Sequence, residues 1–207
     1  MIEEMDIEAY TIRDVTIKIQ GVTPYSSSRA LSEEDSKQKG ESWEAFEARV
    51  WKKKAHTEKD KSGREIMYIP GTAFKLSLDE AVQNLNEKIP GKGNQTYTKI
   101  VKMGIYAANN LSLGIPIEKA HCEPVYCNSG GQRGVGTRVM RWFPMVHDWG
   151  GEITLRIFND SLTKEKFEEF FMKAGLLAGV GRGRPSTGCP AGNGRYRAIN
   201  FKWRTAA

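Results

Sequence analysis

Residues 152–184 read EITLRIFNDSLTKEKFEEFFMKAGLLAGVGRGR, and residues 195–203 complete the pattern with RYRAINFKW. Ile153, Leu155 and Ile157 alternate with Thr154 and Arg156, the two-residue period of a strand with one buried face. Ser161 or Thr163 can cap the helix predicted from Lys164 to Leu177, which carries Phe167, Phe170, Phe171 and Met172 and has acids in its first turns. Glycine-rich sequence from Gly179 to Gly194 then leads into a last strand, Arg195 to Trp203. Strand, helix, strand in this spacing is one half of a split βαβ fold.

The other half lies at the start of the chain. YTIRDVTIKI, Tyr10 to Ile19, sets Ile12, Val15, Ile17 and Ile19 in a largely two-residue alternation that Gly21 ends. A helix is predicted from Glu41 to Ala55, a short strand from Ile66 to Ile69, and a second helix from Thr72, its expected N-cap, to Lys88. Phe74, Leu78, Ala81, Val82 and Leu85 form the core side of that second helix, and Pro90-Gly91 stops it. The order strand, helix, strand, long middle section, strand, helix, strand predicts an α+β, ferredoxin-like (RRM-like) sheet of four antiparallel strands covered on one face by two helices. Residues 1–207 are expected to form one domain, with 91–149 inserted into it.

The 207 residues are 39% hydrophobic, enough for a real core. No apolar run reaches the ~18 to 20 residues of a membrane span, and acids rather than Lys or Arg follow Met1, unlike a signal peptide. A cytoplasmic setting in a bacterial cell is therefore expected. Three cysteines, Cys122, Cys127 and Cys189, are too few for a disulfide scaffold and are read as reduced thiols. His121, Cys122 and Cys127 have no second pair at zinc-finger spacing, so neither a metal nor another cofactor is expected.

The net charge of +6 is unevenly distributed. Lys88 to Met145 and Gly179 to Ala207 carry +6 each, leaving −6 for the remainder, and two basic tracts in an acidic scaffold favour a polyanionic partner. In the second tract, Gly181-Arg182-Gly183-Arg184 combines backbone that a phosphate can approach closely with alternating guanidinium groups, and Arg195 follows. No Gly-Lys-Ser/Thr follows and no helix opens there, which removes the usual support for a Walker loop or a dinucleotide fingerprint. The first tract interleaves Lys92, Lys99, Lys102, Arg133, Arg138 and Arg141 with Tyr97, Tyr106, Trp142 and Phe143, the mixture that holds single-stranded nucleic acid by stacking and charge. Trp142 and Phe143 fit a core equally well. Tyr25-Ser-Ser-Ser-Arg29 can bind phosphate, meet a neighbouring subunit or remain solvated.

Ile69-Pro-Gly-Thr-Ala-Phe-Lys-Leu-Ser-Leu78 resembles the entry to the first helix in the RAMP superfamily of CRISPR proteins, and Gly175 to Gly194 resembles its glycine-rich loop. Gly21 to Arg29, Pro90 to Lys99 and Gly181 to Pro185 are also similar to stretches shared by uncharacterised phage-encoded proteins. The resemblance implies an RRM-like palm, an inserted thumb-like hairpin, and head-to-tail assembly of subunits along one strand of RNA or DNA. By position it turns Lys75, Arg182 and Arg184 toward phosphate and sets Arg133 and Arg138 on the insertion. Asp79 stands where the family often has a basic residue, and Asp35 is poorly placed for the acid found in relatives that cut RNA. The resulting expectation is a phage- or prophage-encoded, non-catalytic protein that multimerises along single-stranded nucleic acid, with Arg29, Lys75, Lys92, Lys99, Arg133, Arg138, Arg141, Trp142, Gly181 to Arg184 and Arg195 as contacts. The alternatives are a metal-independent ribonuclease using a histidine such as His56, and a decoy that binds the proteins of a host CRISPR complex.

Overall fold

The structure is a computed structural model and describes residues 12–128 and 137–205. In chain order its elements are β1 (Arg13–Gly21), β2 (Tyr25–Ser26), α1 (Trp43–Val50), β3 (Thr57–Lys59), β4 (Glu65–Ile69), α2 (Gly71–Leu85), α3 (Tyr97–Gly104), β5 (Ile105–Ala107), β6 (Leu111–Pro116), β7 (His121–Asn128), β8 (Arg138–Val146), β9 (Gly150–Ile157), α4 (Lys164–Leu177) and β10 (Tyr196–Thr205). β1 buries Val15, Ile17 and Ile19 while Lys18 and Gln20 stay exposed, so its two-residue period becomes one core face and one open face.

The main sheet has the order β10-β1-β9-β5, with every neighbouring pair antiparallel. α2 and α4 contribute Phe74, Leu78, Phe167, Phe170 and Phe171 to the same buried cluster as Val15, Ile17, Ile153 and Leu155. This is the predicted ferredoxin-like α+β arrangement. One strand differs from the prediction: Ile66 to Ile69 does not join this sheet but forms β4 of a separate sheet, β3-β4-β6. Its expected place is taken by β5, which pairs Ile105 with Ile157. Three residues that begin where α3 ends show no alternation long enough to recognise in sequence. Tyr97, Val101 and Ile105 are buried in the main core, so part of the 91–149 segment expected as an insertion serves the central sheet.

Two helix boundaries also move. α2 starts at Gly71 with Pro70 as its N-cap, and Thr72 lies inside the first turn instead of capping it. Asn110 Oδ1 accepts from the Gly71 amide at 3.1 Å in place of a local cap, and a Cβ on Gly71 would lie 2.1 Å from the Asn109 carbonyl oxygen. The helix ends at Leu85, where Asn86 takes a left-handed conformation. The stretch predicted as one helix from Glu41 to Ala55 is α1, capped by the Ser42 hydroxyl, followed by a 3-10 turn over Trp51–Lys54. Thr163 is the cap of α4.

β7 and β8 form a long hairpin in register from His121↔Met145 to Asn128↔Arg138, and β2 adds to its other edge at Tyr25↔Val146. The apolar cluster passes from the main sheet through Met67 and Ile69 of β4 to Tyr25 and Val146, joining all three sheets. No helix among the described residues is long and apolar enough to cross a membrane.

Candidate nucleic-acid interface

The groove that gathers the Gly181 to Arg184 stretch opens where the glycine loop after α4 meets β2 and the start of α2. It has a volume of about 400 Å³ and is lined by Tyr25, Ser28, His56, Pro70, Ala73 and Leu76 on one side and by Gly181 to Arg184 and Thr187 on the other. Gly181 has φ +79°, and a Cβ there would lie 2.5 Å from both the Ser26 carbonyl oxygen and the Tyr25 ring. The Arg182 amide donates to that Ser26 carbonyl at 2.8 Å. At Gly181 the close approach therefore serves the chain's own β2 segment, which fixes the height of the loop above the groove. Burial pushes the Tyr25 hydroxyl up to about 12, so it stays protonated.

The two loop arginines are held differently. The guanidinium of Arg182 lies 3.8 Å from the centre of the Phe143 ring, and its Nη2 is 3.0 Å from Cys127 Sγ, so the glycine loop grips the β7–β8 hairpin. Arg184 reaches α2, donating from Nη2 to Glu80 at 2.8 Å and from Nε to the Ser186 hydroxyl at 3.0 Å. Burial opposes ionisation of Glu80, but the bonds from Arg184 and Ser186 outweigh it and keep its carboxyl below the usual range. His56 stands half-buried at the rim, 5.6 Å from the Tyr68 ring. Burial, helped by the charge of Arg29, lowers its pKa and favours the neutral imidazole.

Behind the groove is a buried ion pair that the sequence reading missed. Lys54 Nζ contacts Glu47, donates to the Trp142 carbonyl at 2.9 Å and lies 4.5 Å from the centre of the Phe143 ring. The same Glu47 carboxylate accepts the Trp142 amide at 2.7 Å, tying α1 and the turn after it to β8. Burial lowers the Lys54 pKa against the pull of Glu47, and the charges of Arg141 and Arg182 act in the same direction as burial. Of these three cations, Arg182 lines the groove, while Lys54 is paired with Glu47 and Arg141 lies over Trp43. The signal was available in Glu47, which sits one residue from Phe46 and three from Val50 on the side of α1 that becomes buried.

The other expected contacts are scattered. Lys75 turns to α3, pairing with Asp79 at 2.5 Å and approaching the Lys102 carbonyl, and does not line the groove. Asp79 thus neutralises the lysine expected to meet phosphate. Arg29 is exposed and lines a second cavity with Lys52, Lys53 and Asp35. Arg141 stacks on Trp43 at 5.1 Å, and Trp142 is half-buried and anchored through its backbone. Arg195 donates to the Leu176 carbonyl in the last turn of α4, a helix-capping contact. Arg138 is exposed at the described end of the hairpin, whereas Lys92 lies in the turn after α2 and Lys99 in α3. Arg133 lies outside the described residues.

No family model matches the chain, and no curated protein matches it. Solved structures do. A chain in the cryo-EM structure of the Type III-B Cmr-beta bound to cognate target RNA superposes with a TM-score of 0.51 at 10% identity, covering 95% of this chain. This chain spans only 62% of that one. Cmr6 from Pyrococcus furiosus gives a TM-score of 0.46 at 15% identity over 91% of this chain and 99% of its own. A chain of a CRISPR RNA-guided surveillance complex gives 0.42 at 11% identity over 92% and 68%. The comparisons lend no support to a phage origin. With the strand order β10-β1-β9-β5 and two covering helices, the chain shares the fold of that chain of the Cmr-beta structure.

Proposed function

We propose that this chain is a non-catalytic subunit that binds single-stranded RNA in the groove between the glycine loop, β2 and the start of α2, within a CRISPR-type assembly of several protein chains. The observation that carries this reading is the convergence of Arg182 and Arg184 on one open groove whose lining contains no Asp or Glu. The similar Cmr-beta chain comes from a complex bound to target RNA, and this supports choosing RNA as the polyanion. In this reading Arg184 exchanges Glu80 for a phosphate, while Arg182 fixes the hairpin against the loop. Neighbouring copies or related subunits stack head to tail so that successive grooves follow one strand.

Fluorescence anisotropy with labelled single-stranded RNA and DNA, repeated over a range of salt, tests the proposal. Arg182→Ala with Arg184→Ala should weaken binding and lower the salt slope by about 1 for each lost phosphate contact. An unchanged isotherm from a folded double variant refutes it, and equal binding of DNA removes the choice of RNA.

His56 favours a second reading, a metal-independent ribonuclease, because a histidine held neutral at the groove rim can accept a proton. Labelled RNA incubated in EDTA separates the two. Products that disappear with His56→Ala would establish cleavage, and intact RNA sustains the binding role.

A further inference from the structure

A further cavity, distinct from the groove and from the one beside Arg29, lies against α3. It measures about 530 Å³ and lies between the turn after α2, helix α3 and the exit of β9. Its volume falls within the ~300–1,000 Å³ typical of small-ligand sites. Two large apolar side chains face solvent there, with Met103 76% and Phe158 41% exposed. Lys99 is the one charged residue of the lining, which contains no Asp or Glu.

Several side-chain polar groups of the wall are free to meet a ligand. Among the described residues the side chains of Gln95, Thr96 and Lys99 have no hydrogen-bond or ion-pair partner, and Thr96 does not cap α3 although it precedes it. Asn159 Oδ1 accepts from the Ser161 amide at 2.9 Å, which leaves its NH2 group available. A fitting ligand has a flat apolar face for Phe158 and Met103, an edge of mixed donors and acceptors for the two amides, and a negative charge for Lys99.

We propose that this cavity binds a nucleotide, with its base against Phe158 and Met103, its edge at Gln95 and Asn159, and its phosphate at Lys99. No residue lines both this cavity and the groove, so the two sites are separate. The nucleotide is either free or one unit of a longer strand, and the two sources share this chemistry.

NMR titration of the full chain, with observation of the Met103 methyl and the Lys99 and Asn159 amides, distinguishes them. AMP and UMP form one arm, a short single-stranded oligonucleotide a second, and inorganic phosphate a control. Saturating shifts with the mononucleotides support a free nucleotide, and shifts only with the oligonucleotide support a strand-borne one. Either response should weaken at least tenfold in Phe158→Ala and in Lys99→Gln, both at exposed positions, and persist in the Arg182→Ala, Arg184→Ala double variant. Silence in both nucleotide arms, equal shifts from phosphate alone, or undiminished binding in Phe158→Ala overturns the proposal. Because the double variant removes the groove arginines, the cavity and the groove fail independently in this experiment.

Discussion

At the scale of single residues, the groove is governed by what its cations already hold. Glu80 occupies Arg184 and competes with any phosphate for the guanidinium, so Glu80→Gln should tighten binding of single-stranded RNA by several-fold and steepen its salt dependence, measured by anisotropy. The buried pair behaves differently. Both side chains of Glu47 and Lys54 are almost completely enclosed, at 1% and 4% exposure, and removal of one partner leaves an uncompensated buried charge. Lys54→Met alone should cost about 3–5 kcal/mol in urea unfolding, whereas Glu47→Leu with Lys54→Met should recover most of that loss. A double variant as unstable as the single would show that the Trp142 backbone contacts, and not charge pairing, dominate. Some of these roles were readable locally: Lys75 and Asp79 are four apart on a predicted helix, the spacing of a side-chain pair. Arg184 and Glu80 are 104 residues apart, and no local pattern joins them.

At the scale of elements, the periodic segments were legible and the short ones were not. β1, β9, α4 and the apolar side of α2 follow their two- and 3.6-residue periods because each buries one face for its whole length. α3 and β5 escape such reading because eight helical residues run directly into a three-residue edge strand. The β3–β4 hairpin closes on a turn organised by Asp60. Asp60 accepts from the Ser62 hydroxyl, from the Ser62 and Arg64 amides and from the Arg64 side chain, and these bonds, that of the Ser62 hydroxyl foremost, lower its pKa from 3.8 to about 2. A carboxylate depressed in the folded state contributes stability that is fully present above pH 3.8 and is lost as pH falls through about 2. NMR titration of the Asp60 carboxyl should therefore show its midpoint near 2, with the Ser62 and Arg64 amide signals shifting in the same step. A midpoint near 3.8 would mean that the turn is open in solution.

At the scale of the molecule, three sheets share one apolar cluster, so the hairpin and the glycine loop are carried on a continuous body. If subunits follow one another along a strand, native mass spectrometry with single-stranded RNA of increasing length should show stepwise addition of chains. Nuclease treatment should then collapse those species. A fixed stoichiometry of one chain whatever the RNA length would confine the proposed function to a single groove. Sequence by itself determined the α+β class, the C-terminal strand–helix–strand half and the position of the glycine loop, because apolar period and glycine content are local properties written directly in residue order. Only the tertiary structure decided that Ile105–Ala107, and not Ile66–Ile69, completes the main sheet, and that Arg182 and Arg184 share a groove from which Lys75 is absent. Strand partners and ion pairs depend on distances between segments far apart in the chain, and burial sets those distances only when the whole core closes.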